Sequence, residues 1–161
     1  MEPKKIILPL SIVTTTDVDL VLNEINDLKE YLVQIKIKNS VSEIKLPHTS
    51  KSLDNLVGLN HLDLTNLDQV DWLKKMIESL STKAPVVHIG FSVEPNLLLL
   101  EKIVDWFRHN IDSSLLLTVG LQPIIGAGIT LRTSNKFFDL SLRNHFNNLT
   151  SDLVKLIKEV D

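Results

Sequence analysis

Apolar residues recur at intervals of three and four along two stretches in the first half of the chain. The first stretch opens near Thr16, an expected N-cap, and its apolar residues are Val18, Val21, Leu22, Ile25, Leu28, Leu32 and Ile35. The second opens at Thr65, and its apolar residues are Leu67, Val70, Leu73, Met76, Ile77 and Leu80. This spacing places the side chains on one helical face, so we predict two amphipathic helices and a shorter one around 53–59. Thr65, with Asp68 three residues later, is predicted to cap the second helix.

The second half of the chain changes to a period of two. Residues 85–93 and 115–121 alternate between apolar and polar positions, which is typical of half-buried strands. Pro95, between them, suits the first position of a helix with a broad apolar face. Two further strands, "GITLRT" and "KFFDL", are joined by the polar turn Ser134-Asn135, so we predict an antiparallel hairpin. A last helix is predicted over 142–160.

These elements together predict an α+β fold. Residues 1–84 form a helical N-terminal region, and residues 85–161 form a small mixed sheet of about four strands, with one hairpin, packed with helices. A chain of 161 residues is long enough to bury a core without disulfides, and this one contains no cysteine.

The charge distribution and the motifs of the chain argue against several classes of function. The formal net charge is −3 with acidic and basic residues interspersed, so no basic stripe indicates nucleic-acid binding. No stretch reaches the roughly 18 apolar residues of a membrane span, and we expect no direct membrane insertion. The five histidines form no pair at ligand spacing and no His-Glu-x-x-His occurs, so we predict neither a metal nor a cofactor. His88 is expected at the surface of its strand.

The stretch Gly126-Ala127-Gly128 raises the question of a phosphate-binding loop. Such a loop needs its glycines where a strand gives way to a helix, but "ITLRT" predicts a strand. We therefore expect Gly128 to permit a bend or a close backbone approach at the entry to the hairpin. Asp139 or Ser141 is expected to cap the final helix, and a catalytic acid is the less favoured interpretation of Asp139.

The segment "PIIGAGITLRTSNKFFDLSLRNHF" resembles the C-terminal signature of the delta subunit of bacterial F-type ATP synthases. The mitochondrial relative is the oligomycin-sensitivity-conferring protein. In this family a Gly-Gly pair begins a hairpin that ends in Asp-Gly-Ser, followed by an Arg and a helix. The matching positions in this chain are Ala127, Gly128, Asp139, Ser141, Arg143 and Phe146. Ala127 and Leu140 stand where the family has glycine.

The resemblance implies a non-catalytic subunit of the peripheral stalk, which couples proton transport to ATP synthesis. The implied partners are the alpha and beta subunits of the catalytic head and the b-subunit stalk, at the cytoplasmic side of the cell membrane. Residues 1–84 would be a reduced or divergent head-binding bundle, and the lack of a presequence favours a bacterial source over a mitochondrial one.

Apolar helix stripes either dock a partner helix or pack in the chain's own core. The residues considered for a partner-helix interface are Trp106, Leu149, Leu153 and Leu156. The residues also leave open a different class of function, a small soluble α/β enzyme or ligand-binding domain of unknown substrate.

Overall fold

A computed structural model of the chain describes residues 6–37 and 47–142. Within those ranges the helices are α1 (Thr15–Ile37), α2 (Lys51–Asn60), α3 (Leu67–Lys83) and α4 (Leu97–Asn110). The strands are β1 (Val86–Phe91), β2 (Leu116–Leu121), β3 (Gly128–Arg132) and β4 (Phe137–Ser141). The strands form one mixed sheet, so the predicted α+β class is confirmed.

A helical unit comprises Met1–Pro85 and Glu101–Leu116. Helix α1 packs against α3 and against α2. Its core consists of apolar side chains at the helical spacing that the sequence predicts, and these include Val18, Val21, Ile25, Leu28, Leu53, Leu56, Val70, Leu73 and Ile77. Burying one such side chain contributes roughly 1.5–3 kcal/mol to folding. The helical unit is therefore held by a core of its own.

The caps of α1 and α3 differ from the sequence prediction. The Thr14 hydroxyl accepts a hydrogen bond from the Asp17 N–H at 3.2 Å, and the Asp17 carboxylate accepts one from the Thr14 N–H at 2.8 Å. This reciprocal pair is a capping box, so the N-cap is Thr14 and not Thr16. At α3 the Asn66 side chain accepts from the Asp68 N–H at 3.0 Å. Thr65 lies outside that helix, and the prediction that it is the cap was wrong by one residue.

Helix α4 begins later and is less buried than its sequence predicts. The Asn96 side chain accepts from the Leu99 N–H at 2.8 Å, and α4 starts at Leu97, because Asn supplies the capping oxygen that Pro95 lacks. The expected broad apolar face is only partly covered. Within this helix Val104 and Phe107 are buried, whereas Leu99 is exposed.

Two polar side chains hold the segment that precedes α1. The Arg108 guanidinium donates to the backbone carbonyl oxygens of Pro9 at 3.0 Å and Ile12 at 2.6 Å. The buried Asn60 amide accepts from the Ile7 N–H and donates to the Ile7 carbonyl, both at 2.9 Å. Burial lowers the pKa of Arg108 to about 10, so the guanidinium stays charged at neutral pH.

A sheet unit comprises Val86–Leu100 and Leu117–Asp161. The strand order is β2-β1-β3-β4, with β1 antiparallel to β3 and β3 antiparallel to β4. The predicted hairpin is therefore confirmed. Leu116 donates its N–H to the Pro85 carbonyl and Gln122 to the Phe91 carbonyl. This constant offset makes β1 and β2 parallel, as expected for strands joined by the crossover helix α4.

Candidate functional site

Gly128 opens the hairpin under two constraints that exclude a side chain. Its φ is 100°, in the left-handed region that favours glycine. A Cβ at this position would lie 2.4 Å from the Leu140 carbonyl oxygen and 2.8 Å from the Ser141 Cα. The close backbone approach predicted at the hairpin entry is confirmed.

The two residues before Gly128 form a tight turn. Gly126 has φ 70° and ψ −65°, and the Ala127 N–H donates to the Ile125 carbonyl at 2.8 Å. These are the features of a γ-turn, whose strained centre favours glycine. The positive φ angles fall on Gly126 and Gly128, so alanine fits at 127. The turn leads into β3 and not into a helix, so it offers no helix N-terminus to a phosphate.

Asp139 lies inside β4, before the position expected for a helix cap. Its carboxylate accepts a hydrogen bond from the N–H of Ser141, the last residue of β4, at 2.9 Å. Ser141 is buried, and its Oγ has no hydrogen-bond partner among the residues that the structure describes. Leu140 has no positive φ, so a side chain is accommodated there without backbone strain. The remaining candidates, Arg143, Phe146, Leu149, Leu153 and Leu156, lie outside the described residues.

One face of the sheet is apolar, and its outer strand is exposed. The β1 residues on this face, Val87, Ile89 and Phe91, are buried. Alternation continues this face onto β4, where Phe138 is 49% exposed and Leu140 58% exposed. Leu142 follows two positions later and is also exposed. We refer to Phe138, Leu140 and Leu142 as the β4 apolar edge.

The opposite face is polar and carries an open trough of about 870 Å³. Strands β1, β2 and β3 contribute alternate residues to it, namely His88, Gly90, Thr118, Gly120, Thr130 and Arg132. Gln122, Thr133, Ser134 and Phe137 also line the trough, as do Ile89 and Val119. His88 is exposed, as its alternation predicts.

A side-chain bridge crosses one end of the trough. Gln122 reaches over β1, and its side-chain oxygen accepts a hydrogen bond from the Thr130 hydroxyl at 3.0 Å. The bridge requires glycine beneath it, because a Cβ at Gly90 would lie 2.4 Å from the Thr130 Oγ1 and 2.7 Å from the Gln122 Cδ. Sequence reasoning missed this site. The available signal was Gly90 inside β1, because a glycine within a strand often marks a close approach of another group.

Two shifted carboxyl groups lie on the helical unit. Hydrogen bonds from the Thr65 hydroxyl and N–H lower the pKa of Asp63. The Lys29 ammonium, at 2.6 Å, lowers the pKa of Asp71. Neither group is held protonated at neutral pH, as a catalytic acid must be. Within 6–37 and 47–142, no group of three or more histidine, aspartate or glutamate side chains is placed to hold a metal ion.

Trp106 is the one candidate from the helix stripes that falls in a described range. It lies on α4 in the helical unit, is 58% exposed, and contacts Phe107 edge-on with ring centroids 5.3 Å apart. In the described part of the chain, no helix combines the length and the apolar character needed to cross a bilayer. No model of a known protein family matches the chain, and no curated protein matches it.

Proposed function

We propose that the chain is a non-catalytic, delta-type subunit of the peripheral stalk of an F-type ATP synthase. The observation that carries this proposal is the β4 apolar edge, where Phe138, Leu140 and Leu142 are exposed at the end of the signature hairpin. Contiguous exposed apolar side chains mark interaction surfaces. A partner helix with an apolar stripe is a suitable cover, because such helices dock through residues spaced at i, i+3 and i+4.

A stalk subunit has to resist torque, and this requires static contacts on more than one side. A stable interface buries about 1,000 Å² or more, so a few residues on one strand are not sufficient. Trp106 offers a second contact, because exposed aromatic side chains often anchor interfaces. We assign the β4 apolar edge to the b-subunit stalk and the helical unit to the alpha and beta subunits of the catalytic head.

The proposal also assigns a location. The chain would lie at the cytoplasmic side of a bacterial cell membrane, held there by the b subunit and not by insertion of its own. Its role would be to keep the head from turning with the rotor, so that proton transport stays coupled to ATP synthesis. No residue of the chain would take part in chemistry.

Binding of the purified chain to the cytoplasmic part of the b subunit tests this assignment. A double variant, Phe138→Ser with Leu140→Ser, should weaken binding by about 2–5 kcal/mol, or roughly 30-fold or more, because two apolar contacts are lost. Its stability should fall by no more than about 3 kcal/mol, since both side chains are about half exposed in the free chain. Isothermal titration calorimetry measures the affinity and urea unfolding measures the stability.

The matched control is Ile124→Ser, which removes an exposed apolar side chain of the same unit outside the β4 apolar edge. It should bind the b subunit as the unaltered chain does. Equal binding by the double variant and the control would exclude this edge as the stalk contact.

The polar trough favours a second candidate function, a small ligand-binding domain. The two candidates are compatible within one chain, because the trough and the β4 apolar edge lie on opposite faces of the sheet. Recovery of the chain from cells as a free monomer that carries a small molecule would favour the second.

A further inference from the structure

We propose that the trough on the polar face of the sheet binds a small organic anion bearing a carboxylate or phosphate group. Arg132 and His88 would hold the charged group, and the bare backbone at Gly120 would form the floor beneath the body of the ligand. This site does not depend on the stalk assignment, which uses the opposite face.

The charge of the lining points to an anion. The chain as a whole is acidic, with a formal net charge of −3, yet the lining of the trough includes no aspartate or glutamate. Asp139, across from Thr130 on β4, lies on the same face of the sheet but outside the lining. They do include Arg132 and His88, which are register partners on the neighbouring strands β3 and β1. A guanidinium presents parallel N–H donors that match a carboxylate or a phosphate, and such charge-assisted hydrogen bonds are the strong ones.

The shape of the trough points to a small molecule. Its volume of about 870 Å³ falls in the range of small-molecule sites. A Cβ built at Gly120 meets nothing within 4 Å, so the space above this strand is open. Glycine inside a strand costs stability, and it often marks a place where a ligand approaches the backbone.

The remaining lining suits the uncharged part of such a ligand. The side-chain oxygen of Gln122 accepts a hydrogen bond from the Thr130 hydroxyl. This leaves the side-chain NH2 group of Gln122 as a donor for a ligand. Phe137 lies in the lining and is exposed, so it offers an apolar surface to the ligand body. A polyanion such as a nucleic acid would need a row of cations along its backbone, whereas this trough holds its charge at one place.

Amide NMR spectra of the full chain, titrated separately with inorganic phosphate, citrate and benzoate, test the proposal. At least one of these anions should shift the backbone amides of Gly90 and Gly120 in a saturable way, and sodium chloride at matched ionic strength should not. Citrate or benzoate binding more tightly than phosphate would identify the organic body as part of what is recognised. Tightest binding by phosphate would contradict the organic part of the proposal.

Two variants and one control make the test specific. Arg132→Gln should weaken binding at least about tenfold, because it removes the charge-assisted pair. Lys136→Gln removes one positive charge from the same hairpin outside the lining and should leave binding unchanged. Gly120→Val should abolish binding by filling the trough, and well-dispersed amide signals would show that the variant is folded.

The proposal is overturned if none of the three anions gives saturable shifts. It is also overturned if the shifts survive unchanged in Arg132→Gln. If Gly120→Val does not fold, the result for Arg132→Gln alone decides whether the trough binds the anion. Neither result affects the stalk assignment, because binding of the b subunit is measured separately and through the other face.

Discussion

Leu73 in the helical unit and Phe138 in the sheet unit are both large and apolar, yet the first is 1% exposed and the second 49% exposed. The helical unit buries the stripes of α1 and α3 in a core of its own, although Leu20, Ile37 and Ile111 are exposed. In the described part of the sheet unit the exposed large apolar side chains include Val93, Leu97, Leu98, Leu121, Ile124, Phe138 and Leu140. Under the proposed function, the exposed side chains of the sheet unit are the ones that a partner would cover.

Truncating Leu73 and Phe138 to alanine should give the largest difference in the free energy of unfolding between the two units. Leu73→Ala should lower the free energy of unfolding by about 4 kcal/mol, because it leaves a cavity in a closed core. Phe138→Ala should lower it by about 1–2 kcal/mol, because about half of that side chain is already in water. Urea unfolding of both variants measures the difference. Equal losses would mean that the β4 apolar edge is already covered within the chain.

The sheet unit is nevertheless tightly constrained where its hairpin closes. Gly128→Val should cost about 3 kcal/mol, since the new side chain meets the β4 backbone and the backbone adopts a strained φ. Gly126→Ala should cost less, about 1–2 kcal/mol, because it adds strain at the centre of the γ-turn but no contact within 4 Å. Thermal unfolding ranks the two variants. A Gly126→Ala variant as unstable as Gly128→Val would show that the close approach is not the cause.

The smallest effect is expected at the surface of the helical unit. The Lys29–Asp71 pair lowers the pKa of Asp71 below its ordinary value of 3.8, so its stabilising contribution is present above that pH and disappears as the pH falls through the lower folded-state pKa. Asp71→Asn should therefore be slightly less stable than the unaltered chain at neutral pH and equally stable in strong acid. Asp27→Asn, at an exposed position of α1, is the control. A difference that persists in strong acid would exclude the ion pair as its source.

Local pattern was sufficient to predict most of the elements. The stripes of α1 and α3, the alternation of β1 and β2 and the turn at Ser134-Asn135 each depend on neighbours in sequence, and each element lies where it was predicted. The predicted N-caps of α1 and α3 were wrong because two or three residues that can cap a helix adjoin each other at both places. Thr14 caps α1 in place of Thr16 because its hydrogen bonds with Asp17 are reciprocal. Asn66 caps α3 in place of Thr65, because the Thr65 hydroxyl donates to the Asp63 carboxylate.

The surfaces that we propose for binding could not be predicted in this way. The trough requires His88, Thr118 and Arg132 to meet, and they come from three strands whose register depends on tertiary pairing. The exposure of Leu140 could not be predicted either, since the sequence alone does not tell which residues cover an apolar side chain. The glycines were the exception, because Gly128 signals its close approach through its residue type alone.

The most direct test of the central claim is to recover the tagged chain from gently solubilised native membranes and identify its partners by mass spectrometry. We expect the alpha, beta and b subunits in a fixed ratio, and loss of the b subunit when Phe138 and Leu140 are both replaced by serine. Recovery of the chain as a monomer without these subunits would contradict the assignment to the peripheral stalk.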